Sequence, residues 1–344
     1  MASAHCIVRG SINVDEFLRV KRISRPGETI SSTGLEARAG GKGANQSVSI
    51  AKAGGSVDFL GSVGKGRGDD WIVDRLKDSG VGVEKVEFVE EKTGRAIIQV
   101  AENGENSIVL FKGANYHKRT PSPADFTPTP THIVLQNEIP LELTIDYLTL
   151  ASSDGRTAAT IFNPSPLPSE QEITSFPWEK VSWLIVNEGE AEDLLAVLDP
   201  TGRNHEESEV VASSTLRRLS KAINSPATNV VLTLGASGVI STYHSYSSLS
   251  TWDPVYVPSI QLRGTTRDTT GAGDCFTGYF VAGLMELFNE THSHDVGEEE
   301  ARGLLGKCVV AAGMCCEKEG TLDSVPVREE VEARMRESAE TVAK

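Results

Sequence analysis

The segment Gly271-Ala272-Gly273-Asp274 carries the residue types best suited to group transfer in this chain. Its small residues precede an apolar helical pattern, so bare backbone N–H groups are expected at the helix start. The N-terminal end of a helix carries partial positive charge, which favours a phosphate group. Asp274, in the first turn, can accept the proton of a hydroxyl that receives a phosphoryl group. The same pattern also fits an ordinary helix cap, so this motif alone leaves both interpretations open.

A second glycine-rich segment, Gly40-Gly41-Lys42-Gly43-Ala44-Asn45, precedes another helix-like run. Its glycines allow a polar ligand to approach the backbone, and the amide of Asn45 offers both a donor and an acceptor. The alternative is a flexible turn that binds nothing. The chain has neither the G-x-x-x-x-G-K-[ST] phosphate loop nor the G-x-G-x-x-G dinucleotide motif, which disfavours the two best-known nucleotide-binding folds.

Polar or glycine-rich clusters also follow predicted strands. They are Gly10-Ser11-Ile12-Asn13-Val14-Asp15, Asn187-Glu188-Gly189-Glu190 and Thr233-Leu234-Gly235-Ala236-Ser237-Gly238. Open α/β sheets bind ligands just beyond the carboxyl ends of their strands. Taken alone, the first cluster is more typical of an Asx turn than of a binding site, and the other two are weak signals. Together with the two glycine-rich segments, they predict one binding site at one edge of a sheet.

Short β-rich runs alternate with amphipathic stretches along the chain, which supplies the elements needed to position these clusters. The alternation favours parallel strands joined by crossover helices, and hence a three-layer α/β/α sandwich with a mostly parallel central sheet. The predicted strands are His5–Arg9, Val57–Val63, His132–Gln136, Ala158–Asn163, Trp183–Asn187 and Val230–Leu234. The predicted helices between them include Asp69–Ser79, Leu141–Ala151, Glu188–Leu198 and Val210–Ile223.

Two segments, about 16–38 and 93–112, break this alternation with short alternating stretches and a predicted β-hairpin. We expect them to form a small β-sheet lid on a single domain that spans residues 1–344. Asp199–Ser214 and Asn289–Glu300 are predicted to be solvated insertions. The second contains His292-Ser293-His294, which is a metal-ligand pattern, but in so acidic a run a surface loop is the favoured interpretation.

The composition excludes several classes of protein. The chain has 344 residues, 39% of them hydrophobic, and a formal net charge of −15, which disfavours nucleic acid as a partner. The odd number of cysteines, five, and the absence of a C-x-x-C pair favour reduced thiols. No signal peptide is visible, and the longest apolar stretch is interrupted by glycines and a glutamate. We therefore expect no membrane association and a cytoplasmic, or cytoplasmic and nuclear, location.

From about His5 to Val327 the chain resembles the ribokinase branch of the PfkB-type sugar kinases. The motifs G-S-I-N-x-D, G-G-K-G-A-N, N-x-x-E, T-L-G-x-x-G and D-T-x-G-A-G-D occur in the order typical of that family. The resemblance implies the α/β fold with its β-sheet lid, and a homodimer formed through that lid. It also implies transfer of the γ-phosphoryl group of ATP with Mg²⁺, and K⁺ as an activating monovalent cation.

The resemblance further implies a role for each matching residue. The sugar contacts would be Asn13, Asp15, Gly41, Lys42, Gly43, Asn45, Glu138 and Asp274, with Asp274 as the catalytic base. The ATP site would comprise Asn187 and Glu190 on the phosphate and Mg²⁺ side, Thr233, Gly235 and Gly238 in the nucleotide pocket, and Gly271, Ala272 and Gly273 as an anion hole. The monovalent cation would be bound by Asp268, Thr270, Cys315, Lys318, Gly320 and Ser324, although the loop Glu317–Thr321 departs from the usual pattern.

Three functions remain open at this stage. The polar cluster around Asn13, Asp15 and Lys42 favours ribose, phosphorylated at its 5-hydroxyl. Another acceptor such as fructose or adenosine is the first alternative, but a nucleoside base needs an apolar or aromatic platform and only 6% of the residues are aromatic. A non-catalytic sugar-binding regulator on the same fold is the second alternative, and the intact Gly271–Asp274 motif disfavours it.

Overall fold

The computed structural model describes residues 3–66, 68–103, 105–151, 153, 157–200, 211–225, 228–243 and 254–342. The strands of this described part are β1 (Cys6–Arg9), β2 (Asn13–Val20), β3 (Gly34–Gly40), β4 (Val57–Leu60), β5 (Ser62–Gly64), β6 (Glu87–Val89), β7 (Gly94–Ala101), β8 (Asn106–Phe111), β9 (His132–Gln136), β10 (Ala159–Asn163), β11 (Trp183–Asn187), β12 (Asn229–Thr233), β13 (Val239–Ser241) and β14 (Val255–Val257).

The helices of the described part flank these strands. They are α1 (Lys42–Lys52), α2 (Trp71–Asp78), α3 (Leu141–Ala151), α4 (Glu170–Ser175), α5 (Glu188–Leu198), α6 (Val211–Ile223), α7 (Ala272–Thr291), α8 (Glu298–Cys316) and α9 (Arg328–Val342). Within the described ranges, none of these helices is both long enough and apolar enough to cross a membrane.

Eight strands form the central sheet in the order β14-β13-β12-β11-β10-β9-β1-β4. All neighbouring pairs from β12 to β4 are parallel, and β13 and β14 add an antiparallel edge. Because the parallel strands point the same way, their carboxyl ends meet along one edge. Arg9, Gln136, Asn163, Asn187 and Thr233 end the five central strands there.

Successive residues of the central strands face opposite helical layers, as expected for a sheet covered on both sides. On β11, for example, Ile185 belongs to a core shared with α1, α2, α7, α8 and α9. Its neighbours Leu184 and Val186 belong to a second core shared with α3, α4, α5 and α6. The predicted three-layer α/β/α sandwich is therefore confirmed.

A second sheet has the order β3-β2-β7-β8 and stands apart from the central sheet. It contains both predicted lid segments, and β7 and β8 form the predicted hairpin. One face buries Phe17, Ala96 and Ile98 in a small core of its own. The sheet begins at Asn13, before the predicted start of the first segment, so β2 connects it directly to the end of β1.

Two local predictions need correction. The run Val57–Val63 is two strands, because β4 joins the central sheet while β5 pairs with β6 in a separate two-stranded sheet. The insertion predicted at Asn289–Glu300 has narrower bounds, since α7 continues to Thr291 and α8 starts at Glu298, which leaves 292–297 as the connection between them. The His294 ring stacks on Phe288 and lies 5.2 Å from the His132 ring, so this connection packs onto the sheet. Most of the other predicted insertion, 201–210, lies outside the described residues.

Candidate active site

Asp274 lies in the first turn of α7 and is buried. The Nδ2 of Asn45 donates to its Oδ2 at 2.8 Å, and the Nε2 of Gln46 donates to its Oδ1 at 2.9 Å. Both amides come from the start of α1, which packs directly on α7: a β-carbon at Gly278 would lie 2.2 Å from that of Ser49. The two glycine-rich motifs of the sequence therefore meet at one carboxylate.

The helix start around Asp274 suits an anion. Gly271 caps α7 in the left-handed conformation, with φ 81°. Apart from its own helix turn, no atom of the described residues lies within 4 Å of the β-carbon position of Gly273. The helix dipole of α7, a 20-residue helix, adds partial positive charge at this open turn. A phosphoryl group can therefore approach the backbone N–H groups beside the Asp274 carboxylate.

Glu138 organises the segment that follows β1. Its Oε2 accepts a hydrogen bond from the Ser11 hydroxyl at 2.5 Å and another from the backbone N–H of Lys42 at 3.0 Å. Gly43 packs so closely on this segment that a β-carbon there would lie 2.7 Å from the Cα of Gly10. The carboxylate thus joins the end of β1, the start of α1 and the loop after β9.

The Lys42 side chain lies among carboxylates. Burial lowers the pKa of Lys42, but Asp274, Glu138 and Glu190 outweigh this effect and raise it above its ordinary value. Lys42 therefore carries a fixed positive charge beside the carboxylate that would receive the substrate proton. Such a charge suits the transferring phosphoryl group.

Asn13 and Asp15 begin β2 and are both buried. The Nδ2 of Asn115 donates to the Oδ1 of Asn13 at 2.7 Å, while the Oδ1 of Asn115 accepts from the N–H of Ile12 at 2.9 Å. Asn13 consequently keeps its own amide N–H groups for a ligand. Burial, with Glu138 and Asp274 nearby, raises the pKa of Asp15 to about 7.

A cavity of about 150 Å³ opens beside Asp274. Its lining includes seven of the predicted residues: Lys42, Asn187, Glu190, Thr233, Gly271, Gly273 and Asp274. Asn187 and Glu190 form a capping box at the start of α5, in which each side chain accepts from the backbone N–H of the other. Asn187 and Glu190 therefore both cap α5 and line part of the cavity.

Gly235 and Gly238 lie in the turn between β12 and β13 and do not line this cavity. Gly238 has φ 106°, and a β-carbon there would lie 2.2 Å from the carbonyl oxygen of Val257. A glycine is required at this position by the backbone of β14, whatever the ligand. The cavity beside Asp274 is therefore lined without these two residues.

The predicted cation ligands come from two loops that the structure joins. The Oδ2 of Asp268 accepts from the N–H of Gly320 at 3.2 Å, and its Oδ1 accepts from the N–H of Thr270 at 2.9 Å. The Ser324 hydroxyl lies 2.9 Å from the Cys315 sulfur. The Lys318 side chain instead points to Glu330, with 3.6 Å between Nζ and Oε2, so only its backbone is available to this region.

Several residues of the site were not among the sequence candidates. Gln136 and Asn163 end β9 and β10, and the strand-end rule that selected Asn187 could have found both. Ser11 and Gln46 stand inside or next to the selected motifs. Asn115 lies in a one-turn helix after β8, and no local pattern marks it.

Comparison with known proteins identifies related chains. The profile described as pfkB family carbohydrate kinase matches residues 3–328. A ribokinase from Haemophilus influenzae is 30% identical over 331 residues, which cover 94% of this chain and 95% of the relative. The crystal structure of ribokinase from Cryptococcus neoformans var. grubii serotype A in complex with ADP is 42% identical, with a TM-score of 0.79, and covers 96% of this chain and 100% of that chain.

A third relative is described with both substrates bound. The structure of Arabidopsis thaliana ribokinase complexed with ribose and ATP is 26% identical to this chain, with a TM-score of 0.77. The match covers 96% of this chain and 98% of that chain. The similarity therefore extends through the central sheet and the small sheet alike.

Proposed function

We propose that this chain, which belongs to the pfkB family of carbohydrate kinases, transfers the γ-phosphoryl group of ATP to the 5-hydroxyl of D-ribose. The observation that carries the proposal is the position of Asp274. Its carboxylate lies at an open helix start, between a cavity that extends to Asn187, Glu190 and Thr233 and the polar group around Asn13 and Asp15.

Each group has a chemical role in this reaction. The carboxylates of Asp15 and Glu138 and the amides of Asn13 and Asn45 bind the hydroxyls of the sugar. Asp274 accepts the proton of the 5-hydroxyl while the hydroxyl oxygen attacks the γ-phosphorus. The ADP oxygen leaves on the opposite side of the phosphorus, in line with the attack. Lys42 and the N–H groups after Gly271 stabilise the charge on the transferring oxygens.

The residues on the phosphate side also fit Mg²⁺. The Glu190 carboxylate lines the cavity, and Mg²⁺ is commonly held through one or two carboxylates, its own waters and the substrate phosphates. Glu190 and the amide of Asn187 would hold the hydrated ion, which would neutralise part of the charge on the ATP phosphates.

The loops around Asp268 fit a monovalent cation such as K⁺. The Asp268 carboxylate joins the two loops, and the carbonyl groups of Thr270, Cys315, Lys318 and Gly320 with the Ser324 hydroxyl supply further oxygens of the kind that K⁺ prefers. A cation held there would brace the turn that leads into Gly271.

The small sheet fits a role as both lid and dimer interface. Its outer surface exposes apolar side chains, including Leu35 at 69% and Val109 at 63% exposure. A contiguous apolar patch on a soluble protein commonly marks an interface. A second copy of the chain that packs against this sheet would cover these apolar side chains.

A coupled ATPase assay over a panel of pentoses, hexoses and nucleosides tests the proposed function. We expect ribose to have the highest kcat/KM, because a site that hydrogen-bonds hydroxyls discriminates strongly against analogues that leave its buried groups unpaired. Comparable turnover of adenosine, or better turnover of fructose, would refute the assignment to ribose. No turnover of any acceptor by folded, ATP-binding protein would favour a non-catalytic sugar-binding regulator.

A further inference from the structure

Gln46 follows Asn45 on α1, and its polar side chain is completely buried. Its Nε2 donates to the Oδ1 of Asp274 at 2.9 Å and to the Oδ1 of Asn163 at 3.4 Å. Its Oε1 accepts from the Nε2 of Gln136 at 2.6 Å. Both ends of the Gln46 amide are therefore engaged, and the end that faces Asp274 is the donor.

The orientation of this amide matters to the carboxylate. With its two ends exchanged, Gln46 would place a carbonyl oxygen against Asp274 and repel it. Two neighbours from different strands favour the observed orientation. Gln136, on β9, presents an N–H group to Oε1, whereas Asn163, on β10, presents an oxygen to Nε2. Of these, Asn163 is itself anchored, because its Nδ2 donates to the carbonyl oxygen of Ile185 at 2.9 Å, whereas the Oε1 of Gln136 has no hydrogen-bond partner in the described part of the chain.

We propose that Gln46 is a positioning residue for Asp274, and that Gln136 and Asn163 act through it by fixing the orientation of its amide. The inference rests on the proposed function, in which Asp274 accepts the substrate proton. Asn45 binds Oδ2 and Gln46 binds Oδ1, so the plane of the carboxylate is set by two donors from one helix. A lone pair of the carboxylate can then face the 5-hydroxyl without rearrangement in the transition state.

A purely structural role is the competing explanation. The three amides connect α1, β9 and β10, and buried amides that lose a partner destabilise a protein whether or not they serve catalysis. Stability measurements alone therefore cannot separate the two roles. A change in the pH dependence of turnover can, because only the positioning role changes how readily the base at residue 274 accepts a proton.

The test uses Gln46→Met and Gln136→Met in the full-length chain. Gln46→Met removes an N–H donor that favours the charged form of a carboxylate, so the acid limb of the kcat profile should move to higher pH. At neutral pH we expect kcat to fall by about 10²-fold, with KM for ATP little changed. Gln136→Met should produce a smaller shift of the same sign, although residue 136 does not contact Asp274.

The double variant provides the sharpest measurement. If Gln136 acts only through Gln46, its effect on the pH profile should vanish in the Gln46→Met background. Independent structural contributions would instead add. Ser49→Ala is the matched control, since the Ser49 hydroxyl lies on the same helix and donates to the carbonyl oxygen of Cys275 at 2.8 Å without contacting Asp274. It should leave the acid limb in place.

Melting temperatures with and without ATP establish that each variant is folded. If Gln46→Met does not fold, Gln136→Met decides alone, and an unshifted pH profile in that variant would overturn the proposal. Unshifted profiles in both variants, or additive shifts in the double variant, would also overturn it. Failure of the parental protein to phosphorylate ribose would instead refute the proposed function, which keeps the two failures distinguishable.

Discussion

The Asp15 carboxylate occupies the space beside Gly40 that a side chain would need. A β-carbon at Gly40 would lie 1.9 Å from the Oδ2 of Asp15. Glycine at that position of β3 therefore leaves room for the Asp15 carboxylate to lie against the strand. Within the described residues no protein group hydrogen-bonds to it, so Asp15 keeps its acceptor capacity for a ligand. The consequence is a buried acid whose pKa is raised to about 7.

The first prediction concerns Asp15→Asn and the stability of the ligand-free protein. Because the folded-state pKa of Asp15 is about 7 and its ordinary value is 3.8, the folded chain retains a proton that the unfolded chain has released. The free energy of unfolding should therefore fall as the pH rises from 4 to 7. Asn removes this penalty and should stabilise the protein at pH 8 by at most about 4 kcal/mol.

Melting temperatures of the two proteins at pH 5 and pH 8 check this prediction. The gain from Asp15→Asn should be larger at pH 8, and the same variant should raise KM for ribose. Gln99→Leu offers a control, since Gln99 lies in the same small sheet and its side chain hydrogen-bonds only to Ser24 in the described part of the chain. An equal gain at both pH values would contradict the raised pKa of Asp15.

The second prediction is that Asp274→Asn nearly abolishes turnover while ATP binding persists. Asn preserves the size and the helix position but cannot accept the proton of the sugar hydroxyl. Loss of a general base typically costs about 10²–10⁴-fold in rate. Single-turnover rates and ATP titration by calorimetry measure the two effects separately. A near-normal rate in folded Asp274→Asn protein would place the base elsewhere.

The sequence was sufficient for the parallel part of the central sheet and for the position of the polar clusters that follow its strands. Runs such as His132–Gln136 are apolar on both faces, which is the signature of a parallel strand covered by two helical layers, and the helices between them have clear periodicity. The strand-end rule then brought Asn13, Asn187 and Thr233 to one edge without further information. Local pattern is informative here because each cluster follows directly on its own strand.

The contacts among those residues could not be predicted in the same way. Asn115 reaches Asn13 across a sequence separation of 102 residues, and Gln46 reaches Asp274 across 228. Which of two neighbouring amides, Asn45 or Gln46, binds which oxygen depends on how α1 packs against α7. The helical character of Asn289–Thr291 was missed because these residues are polar and look like a loop. The contact that holds this end of α7, the stacking of Phe288 on His294, exists only in the folded chain.

The third prediction concerns the exposed surface of the small sheet. Val109→Glu, on the edge strand β8, should convert a homodimer into a monomer because it places a charge in the proposed apolar interface. Val327→Glu is a suitable control, since Val327 is also exposed, at 40%, but lies next to α9. Sedimentation equilibrium measures the mass of each. A parental chain that is monomeric at micromolar concentration, or a Val109→Glu variant that stays dimeric, would contradict the interface.

The fourth prediction is that K⁺ raises kcat and that Asp268→Asn abolishes this effect. A β-carbon at Gly271 would lie 3.2 Å from the Cα of Thr321, so the late loop rests directly on the turn that begins α7. A cation held by both loops would keep the N–H groups after Gly271 pointed at the phosphoryl oxygens. Loss of one aligned donor in such a site can lower the rate by roughly 10²–10³-fold, and K⁺ should raise kcat by part of that factor.

The competing explanation for Asp268 is that its carboxylate serves only to cap its own turn. Its Oδ1 accepts a hydrogen bond from the N–H of Thr270 in that turn. The two roles differ in their response to the ion. Rates should be measured at fixed ionic strength in K⁺, in Na⁺ and with a bulky organic cation. If the carboxylate serves the cation, the parental protein is fastest in K⁺, and Asp268→Asn is equally slow in all three. If it is a cap alone, the variant is slower by the same factor in every salt, and equal parental rates in all three would show that the cation site is absent.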